Sequence, residues 1–387
     1  MTQHDHLSGE GRAGSLSRRA LLQRTAGVVA ATGAAGILAA GEGTAAAAPS
    51  SSAKSLGTIN FLSWEGYDLQ PPMKAWRKAN GVKLNTTFIN AQEDVLSKLR
   101  SGGSADVSTY FTTFYDRMRE LDLLTPLDPK RIPNFKPNLM AQGLYRQPYW
   151  YDQGKLWGVP LEMQSLPCNY RADKMAAPKS WADLLDPKLK GRVTLIDDWT
   201  QAIPIAAKVV GLGSKIPDFT KPELAKIVDF LTKIRKQART VSSYGDAENQ
   251  LGSGDVWVTF VGYALITANN RKKGIDVRHV WPKEGGMAGS DIWFIPKGAK
   301  NVDGAYAFIN QTLSTPVQKY MADNLIAGPV NKKALFSLTG AAEAAFPHNN
   351  MKAFLAKNPY YGGVPEKSDK YTTAADWVSA WEQIKAA

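Results

Sequence analysis

From residue 58 onward, hydrophobic and polar positions alternate between two periods. Thr58-Ile59-Asn60-Phe61-Leu62 has the two-residue period of a strand, and so has the β-branched run Val82 to Ile89. Between them, Pro72 to Asn80 reads as a helix opened by proline and stopped before Gly81. Ala91 to Arg100 places Val95, Leu96 and Leu99 on one helical face, and Gly102-Gly103 ends it. Ala105 to Tyr110 predicts a third strand and Thr113 to Leu121 a third helix. This β-α-β-α-β order predicts a parallel sheet covered on both faces.

A turn-rich stretch with five prolines runs from Thr125 to Gly154, and Leu156 to Pro160 and Leu166 to Tyr170 read as extended. The alternation then resumes. Strands are expected at Arg192–Ile196, Asp255–Val261, Ile275–Val280 and Ile292–Ile295. Helices are expected near Ala202, over Tyr263–Lys272, Val302–Leu313 and Thr315–Leu325, and through 342–387. Thr220 and Glu223 form a capping box before a long helix whose buried face is Leu224, Ile227, Val228, Leu231 and Ile234. Two α/β units joined by extended segments predict two lobes with a cleft between them. Ligands of open α/β sheets bind beyond the carboxyl ends of the strands.

The N-terminus reads as an address. Ser17-Arg18-Arg19-Ala20-Leu21-Leu22-Gln23 precedes a 14-residue apolar run, Gly27 to Ala40, and then Ala45-Ala46-Ala47-Ala48-Pro49. An arginine pair, an apolar run and small residues in that order resemble a twin-arginine signal peptide, with cleavage expected between Ala45 and Ala48. A span of ~20 helical residues would be needed to cross a bilayer. Residues 1–48 are therefore expected to be the signal and 49–57 a linker. The first lobe is expected over 58–163 plus 288–330, and the second over 164–287 plus 331–387. Export through the twin-arginine machinery delivers a folded chain to the periplasm or the extracellular, cell-wall space. A chain of 387 residues with one cysteine, Cys168, fits that route because it needs no internal disulfide. Removing residues 1–48 leaves 43 basic and 32 acidic residues, a net charge of +11. The basic residues are dispersed and carry no nucleic-acid motif. They leave open a basic, wall-associated interaction protein.

The strand ends gather a particular chemistry. Ser63-Trp64-Glu65-Gly66-Tyr67-Asp68 follows the first strand, and Tyr110-Phe111-Thr112-Thr113-Phe114-Tyr115 follows the third. The second unit offers Asp197-Asp198-Trp199, Trp257 to Phe260 and Gly289-Ser290-Asp291. Carboxylates interleaved with aromatics suit a cationic amine through charge-assisted hydrogen bonds and cation–π contact.

The sequence resembles the spermidine/putrescine-type solute-binding proteins of ABC importers. Val280-Trp281-Pro282-Lys283-Glu284-Gly285-Gly286, Trp64 with Tyr67, Asp116-Arg117-Met118-Arg119, Ser180-Trp181-Ala182-Asp183-Leu184 and Asp197-Asp198 carry the resemblance. It implies an α/β, two-lobed periplasmic-binding-protein-like fold of type II that closes on a hinge around a polyamine. It implies an ABC permease as partner, a monomer, no cofactor and no enzymatic activity. Trp64, Glu65, Tyr67 and Thr113 would contact the ligand from the first lobe, Asp198, Gln201 and Phe260 from the second, and Asp291 from the crossover. The sequence departs from that pattern at Gln201, where an acid is usual, at Gly289, where a tryptophan is usual, and beside Trp64, where Glu65 and Gly66 stand in place of the usual threonine and glutamate. Those departures leave room for a zwitterionic amine, an aminophosphonate or an opine-like solute.

Three smaller points complete the picture. Asp198 could instead cap the next helix with Gln201 as capping-box partner, unless that helix starts at Pro204. Trp181, Trp281 and Cys168 read as packing residues. No G-x-S-x-G, H-E-x-x-H or P-loop motif occurs. His279 reads as a core position, and beyond the N-terminal tail only His348 accompanies it. An exported hydrolase with two distant carboxylates remains the enzymatic alternative.

Overall fold

The computed structural model describes residues 55–89, 91–346 and 350–387. The expected signal peptide, its expected cleavage site and His348 lie outside the described residues. Among the described residues no helix is long and apolar enough to cross a membrane.

The opening alternation forms as expected: β1 Gly57–Ser63, α1 Gln70–Ala79, β2 Val82–Phe88, α2 Gln92–Arg100 and β3 Val107–Phe111. β1 pairs in parallel with β2 and with β3. The third helix is split, because a 3-10 turn at Thr112–Phe114 precedes α3, Tyr115–Glu120. After the turn-rich stretch come β4 Val159–Pro160, β5 Glu162–Ser165 and β6 Cys168–Arg171. The second unit then repeats the scheme with β7 Val193–Ile196, α4 Trp199–Val209, α5 Lys221–Gln237, β8 Ala238–Ser242, α6 Tyr244–Ser253, β9 Val258–Phe260, α7 Ala264–Lys272 and β10 Val277–Val280. The chain returns through β11 Ala288–Gly289 and β12 Asp291–Phe294 to α8 Val302–Thr312, α9 Thr315–Leu325 and β13 Gly328–Pro329.

Two five-stranded sheets result, ordered β2-β1-β3-β12-β4 and β8-β7-β9-β6-β10. In each, three parallel strands are followed by strands paired antiparallel. A small third sheet, β11-β5-β13, joins the lobes at the crossover. The α/β two-lobed fold expected from the sequence is the observed one.

Each lobe has its own core. Ile59, Phe61, Trp293 and Phe308 are at the centre of the first. Val193, Leu195, Ile227 and Phe260 belong to the second. The chain passes between cores at Met163–Leu166, at Met287–Ala288 and at Tyr360–Tyr361. The third passage differs from the expected division at 330–331. Leu335, Leu338, Phe346 and Phe354 still pack in the first core, and only the last helix, α10 Ala374–Ala386, returns to the second through Trp377, Trp381 and Ile384. The C-terminal region is also less helical than expected. Short helices at Gly340–Ala345 and Met351–Lys357 give way to an irregular strap over 358–373 before α10. The sequence Tyr360-Tyr361-Gly362-Gly363-Val364-Pro365 explains this, since adjacent glycines and a proline break helical periodicity.

The family-like motifs are structural joints. Ser180 caps the turn Trp181–Leu185, and the Glu284 carboxylate accepts from Ser180 Oγ at 2.5 Å and from the Trp181 amide at 3.3 Å. Trp181 Nε1 donates to the Gly285 carbonyl at 2.8 Å. Cys168 is buried and its Sγ lies 3.3 Å from the Thr259 carbonyl.

Asp106 sits at the start of β3, at the end of the sheet away from the cleft. Its buried carboxylate accepts from the amides of Asn60 (2.7 Å), Lys300 (2.8 Å) and Asn301 (2.8 Å), and so ties β1 to the entry of α8. Asp106→Ala strands those three donors. It is expected to lower unfolding free energy by about 3 kcal/mol or more. Urea denaturation of the two proteins checks this, and coincident midpoints would contradict the account.

Candidate functional site

The cleft is built by the carboxyl ends of the parallel strands of both sheets and is crossed by the small hinge sheet. Asp291 opens β12, directly opposite Phe111 at the end of β3. Its side chain is 2 % exposed, and its Oδ2 accepts from the Tyr67 hydroxyl at 2.6 Å and from Gln164 Nε2 at 3.2 Å. Its backbone amide donates to Glu162 Oε1 at 2.9 Å. Ser290, on the other face of the strand, meets the Tyr360 hydroxyl at 2.8 Å. One carboxylate thus links the loop after β1, the hinge strand β5 and the return strand β12. Trp64 is half-buried against the first core, and Glu65 lies half-buried in the same turn as Tyr67.

The second-lobe rim is the N-terminus of α4. Asp198 is its N-cap and accepts from the Thr200 amide at 3.0 Å and from Thr200 Oγ1 at 2.6 Å. The helix starts at Trp199 and runs through Pro204, so the suggested start at Pro204 is not observed. Proline lacks the donor that the Thr200 carbonyl would use, so the helix runs through Pro204 with that one hydrogen bond missing. Gln201 does not complete a capping box. It is buried and accepts from the Tyr244 hydroxyl. Asp197 points away from Asp198, accepting from Trp381 Nε1 at 2.7 Å and facing Lys385 at 3.6 Å.

Burial pushes the Asp198 carboxyl up to about 6, against the Thr200 bonds that lower it, and the charges of Asp197 and Glu93 add to the rise. Glu93 belongs to α2 on the first lobe and is exposed. Its neighbour Gln92 fixes the end of β3 by donating to the Thr109 carbonyl at 3.0 Å and accepting from the Phe111 amide at 3.2 Å.

Phe260 is a correction. It is fully buried in the second core, with ring centroids 5.2 Å from Trp181 and 6.0 Å from Phe230, and does not wall the cleft. As the last residue of β9 it was placed at the right end of the right strand, but its side chain takes the face covered by α5. Tyr244 and Tyr263 lie in the segments that follow β8 and β9, with rings 6.0 Å apart.

Thr113 and Phe114 of the first lobe line a narrow cavity of about 30 Å³ with Trp199, Thr200 and Trp377 of the second. The C-terminal strap closes it. Glu366 pairs with Arg117 at 2.6 Å, the Gly363 amide donates to Asp116 Oδ2 at 3.2 Å, and Tyr149 Oη donates to the Tyr360 carbonyl at 3.2 Å. Burial raises the Asp116 carboxyl above its ordinary range although the Gly363 amide counters it. A side-chain carbon at Gly363 would stand 2.3 Å from the Thr113 carbonyl, so the strap approaches this closely only as glycine. Glu162, Gln164 and the strap stand outside the segments that the sequence pattern marks as site candidates. The tyrosine pair followed by two glycines was the available signal for the strap.

The structure therefore brings together Tyr67 and Asp291 at the hinge, and Thr113, Asp198 and Gln201 at or beside the lobe interface. It separates Phe260 from them. Among the described residues no group of three or more His, Cys, Asp or Glu side chains could hold a metal ion.

Residues 73–348 match the family model of the bacterial extracellular solute-binding proteins. The spermidine/putrescine-binding periplasmic protein of Escherichia coli (strain K12) is 27% identical over 282 residues, which cover 69% of this chain and 76% of the relative. The putrescine-binding periplasmic protein PotF of the same organism is 27% identical over 298 residues, covering 72% and 79%. Among solved structures, the substrate-binding protein PotD of Streptococcus pneumoniae superimposes with a TM-score of 0.69 at 20% identity, over 85% of this chain and 97% of that one. That last likeness concerns the fold. With a family match spanning most of the chain and a hinged cleft between two α/β lobes, this chain belongs to the bacterial extracellular solute-binding proteins.

Proposed function

We propose that this chain captures a small cationic amine, a polyamine such as putrescine or spermidine, and delivers it to an ABC permease after export by the twin-arginine route. The observation that carries the reading is the placement of two carboxylates at the cleft, Asp291 at the crossover and Asp198 at the second-lobe helix terminus. Burial disfavours the charged form of a carboxylate, and a bound ammonium offsets that cost. The curated relatives, named for spermidine and putrescine, support the same ligand class.

The mechanism is a population shift. A ligand that contacts both lobes stabilises the closed form by its differential affinity for it, and the permease recognises that form. The protein acts by binding alone, as a monomer. Gln201 is the feature that favours the second reading, a zwitterionic amine or aminophosphonate, because it gives the second lobe one acid fewer. A thermal-shift panel of putrescine, spermidine, spermine, amino acids and aminophosphonates separates the two. Stabilisation by polyamines supports the first reading, and stabilisation by zwitterions alone replaces it with the second. No shift with any member of the panel would overturn both.

Charge sets the pH dependence. An alkylammonium stays protonated well above neutrality, so the group that titrates is Asp198. Affinity for putrescine or spermidine is expected to fall as pH drops through about 6, by up to tenfold per unit. The unliganded protein has the opposite sign. Its folded carboxyl holds a proton more tightly than the unfolded chain does, so the stability penalty is full above about 6 and is relieved as pH falls toward the ordinary carboxylate range. Asp198→Asn keeps the helix cap, weakens amine binding at pH 7.5 about tenfold or more and flattens the profile. Titration calorimetry from pH 5 to 8 checks this, and parallel profiles for the two proteins would remove Asp198 from the site.

The strap gives a separate prediction. Gly363→Val places a branched side chain against the Thr113 carbonyl. We expect it to hold the lobes apart and to abolish the ligand-induced contraction measured by small-angle scattering. A variant that contracts like the wild type would show that the strap does not govern closure.

A further inference from the structure

The two residues at the crossover that most shape the space beside Asp291 are Phe111 and Gly289. In the antiparallel pairing of β12 with β3, Phe111 stands directly opposite Asp291, so both side chains project from the same face. Gly289 is two residues before Asp291 and takes that face as well. The half-buried ring of Phe111 leans diagonally onto it. A side-chain carbon built at Gly289 would lie 2.1 Å from Phe111 Cζ, 2.6 Å from Cε2 and 3.1 Å from Cε1. The ring therefore occupies the volume in which any residue other than glycine would put its side chain. Two further contacts hold the strands in this arrangement. The Phe111 amide is fixed by Gln92 Oε1 at 3.2 Å, and the Thr112 amide donates to the Ser290 carbonyl at 3.0 Å. Gly289 itself pairs with Gln164 of the hinge strand, whose side chain holds the Asp291 carboxylate.

We propose that Phe111, laid over Gly289, is the aromatic wall beside Asp291 and a specificity-determining residue of the cleft. The inference rests on the amine reading above and goes beyond it. An ammonium held by the Asp291 carboxylate has the Phe111 ring as its neighbour, and the methylenes next to the charge pack on the same surface. The wall is supplied by β3 rather than by the crossover strand, and glycine at 289 is the condition for it. The two positions are thus coupled. A ring at 111 requires the absence of a side chain at 289, and a side chain at 289 expels the ring.

The coupling supplies the test. Putrescine and spermidine are titrated into the wild type, Phe111→Leu, Gly289→Ala and the Phe111→Leu/Gly289→Ala double variant, with the melting temperature of each unliganded protein as the control for folding. Leucine keeps apolar bulk and removes the aromatic face. It is expected to weaken binding about 3- to 30-fold. Gly289→Ala is expected to weaken it by a similar factor through displacement of the ring. The double variant should then bind about as well as Phe111→Leu alone, because the second substitution has no ring left to displace. Binding by Phe111→Leu equal to that of the wild type overturns the inference while leaving the amine reading intact, and so does strict additivity of the two losses. A wild type that binds neither amine overturns the amine reading, and this inference with it.

Discussion

The pairing of the return strand Asp291–Phe294 with both β3 and β4, and of Ala288 and Gly289 just before it with β5, is the constraint on which the cleft depends. It carries the chain from the second core back into the first and delivers Asp291 to the point where both lobes meet. A strand has a two-residue period, so a slip of one position would turn Asp291 into the sheet and Ser290 into the cleft. The slip is opposed from both faces. Asp291 is held by Tyr67 and Gln164, Ser290 by Tyr360, and the following Trp293 is packed against Phe61, Tyr67 and Phe308. The core of the first lobe thus fixes the register, and the register fixes the chemistry of the cleft.

A cleft made this way is costly to close when empty. Asp198 spends hydrogen bonds on its own helix terminus, which offsets part of the loss of water, yet its carboxyl remains shifted upward. Strap contacts pull the other way, since Arg117–Glu366 and Gly363–Asp116 form only when the strap and the first lobe meet. The balance of these two sets is what a ligand can tip. A cation contributes where the empty site is weakest, and an uncharged solute of the same size would not relieve the buried Asp198 carboxylate. The net positive charge of the whole chain does not oppose this, because exposed charges beyond about 10 Å are screened at moderate salt while groups inside the cleft are not.

Much of the architecture was legible in the sequence because strand and helix periods switch cleanly along it. The capping box at Thr220 and Glu223 and the apolar face from Leu224 to Ile234 mark α5 without ambiguity, and the helix runs from Lys221 to Gln237 as that pattern requires. Pro204 misled, because a proline removes one hydrogen bond without having to end a helix whose buried face holds it, and Ala202, Ile203, Ile205 and Ala206 are fully buried in the second core. The strap misled for the opposite reason. Trp377 and Trp381 are spaced as a helix, but that periodicity does not reach back across Gly362-Gly363, where at Gly363 the backbone approaches the first lobe too closely for a side chain.

The candidate site was legible to the level of strand ends and no further. Sequence places Phe260 and Asp291 at equivalent points, each beside the carboxyl end of a parallel strand, but it does not say which face a terminal residue takes. Packing decides that: Trp181 and Phe230 leave an apolar hole that Phe260 fills, whereas Tyr67 and Gln164 offer donors that only a carboxylate or amide at 291 can use. The same logic governs Gly289. An absent side chain reads in sequence as a lost contact, and in three dimensions it is the space that another strand's ring has taken. Residues around a hinge therefore have to be judged by what their neighbours do with the room they leave, since a cleft wall is a property of adjoining strands rather than of one position.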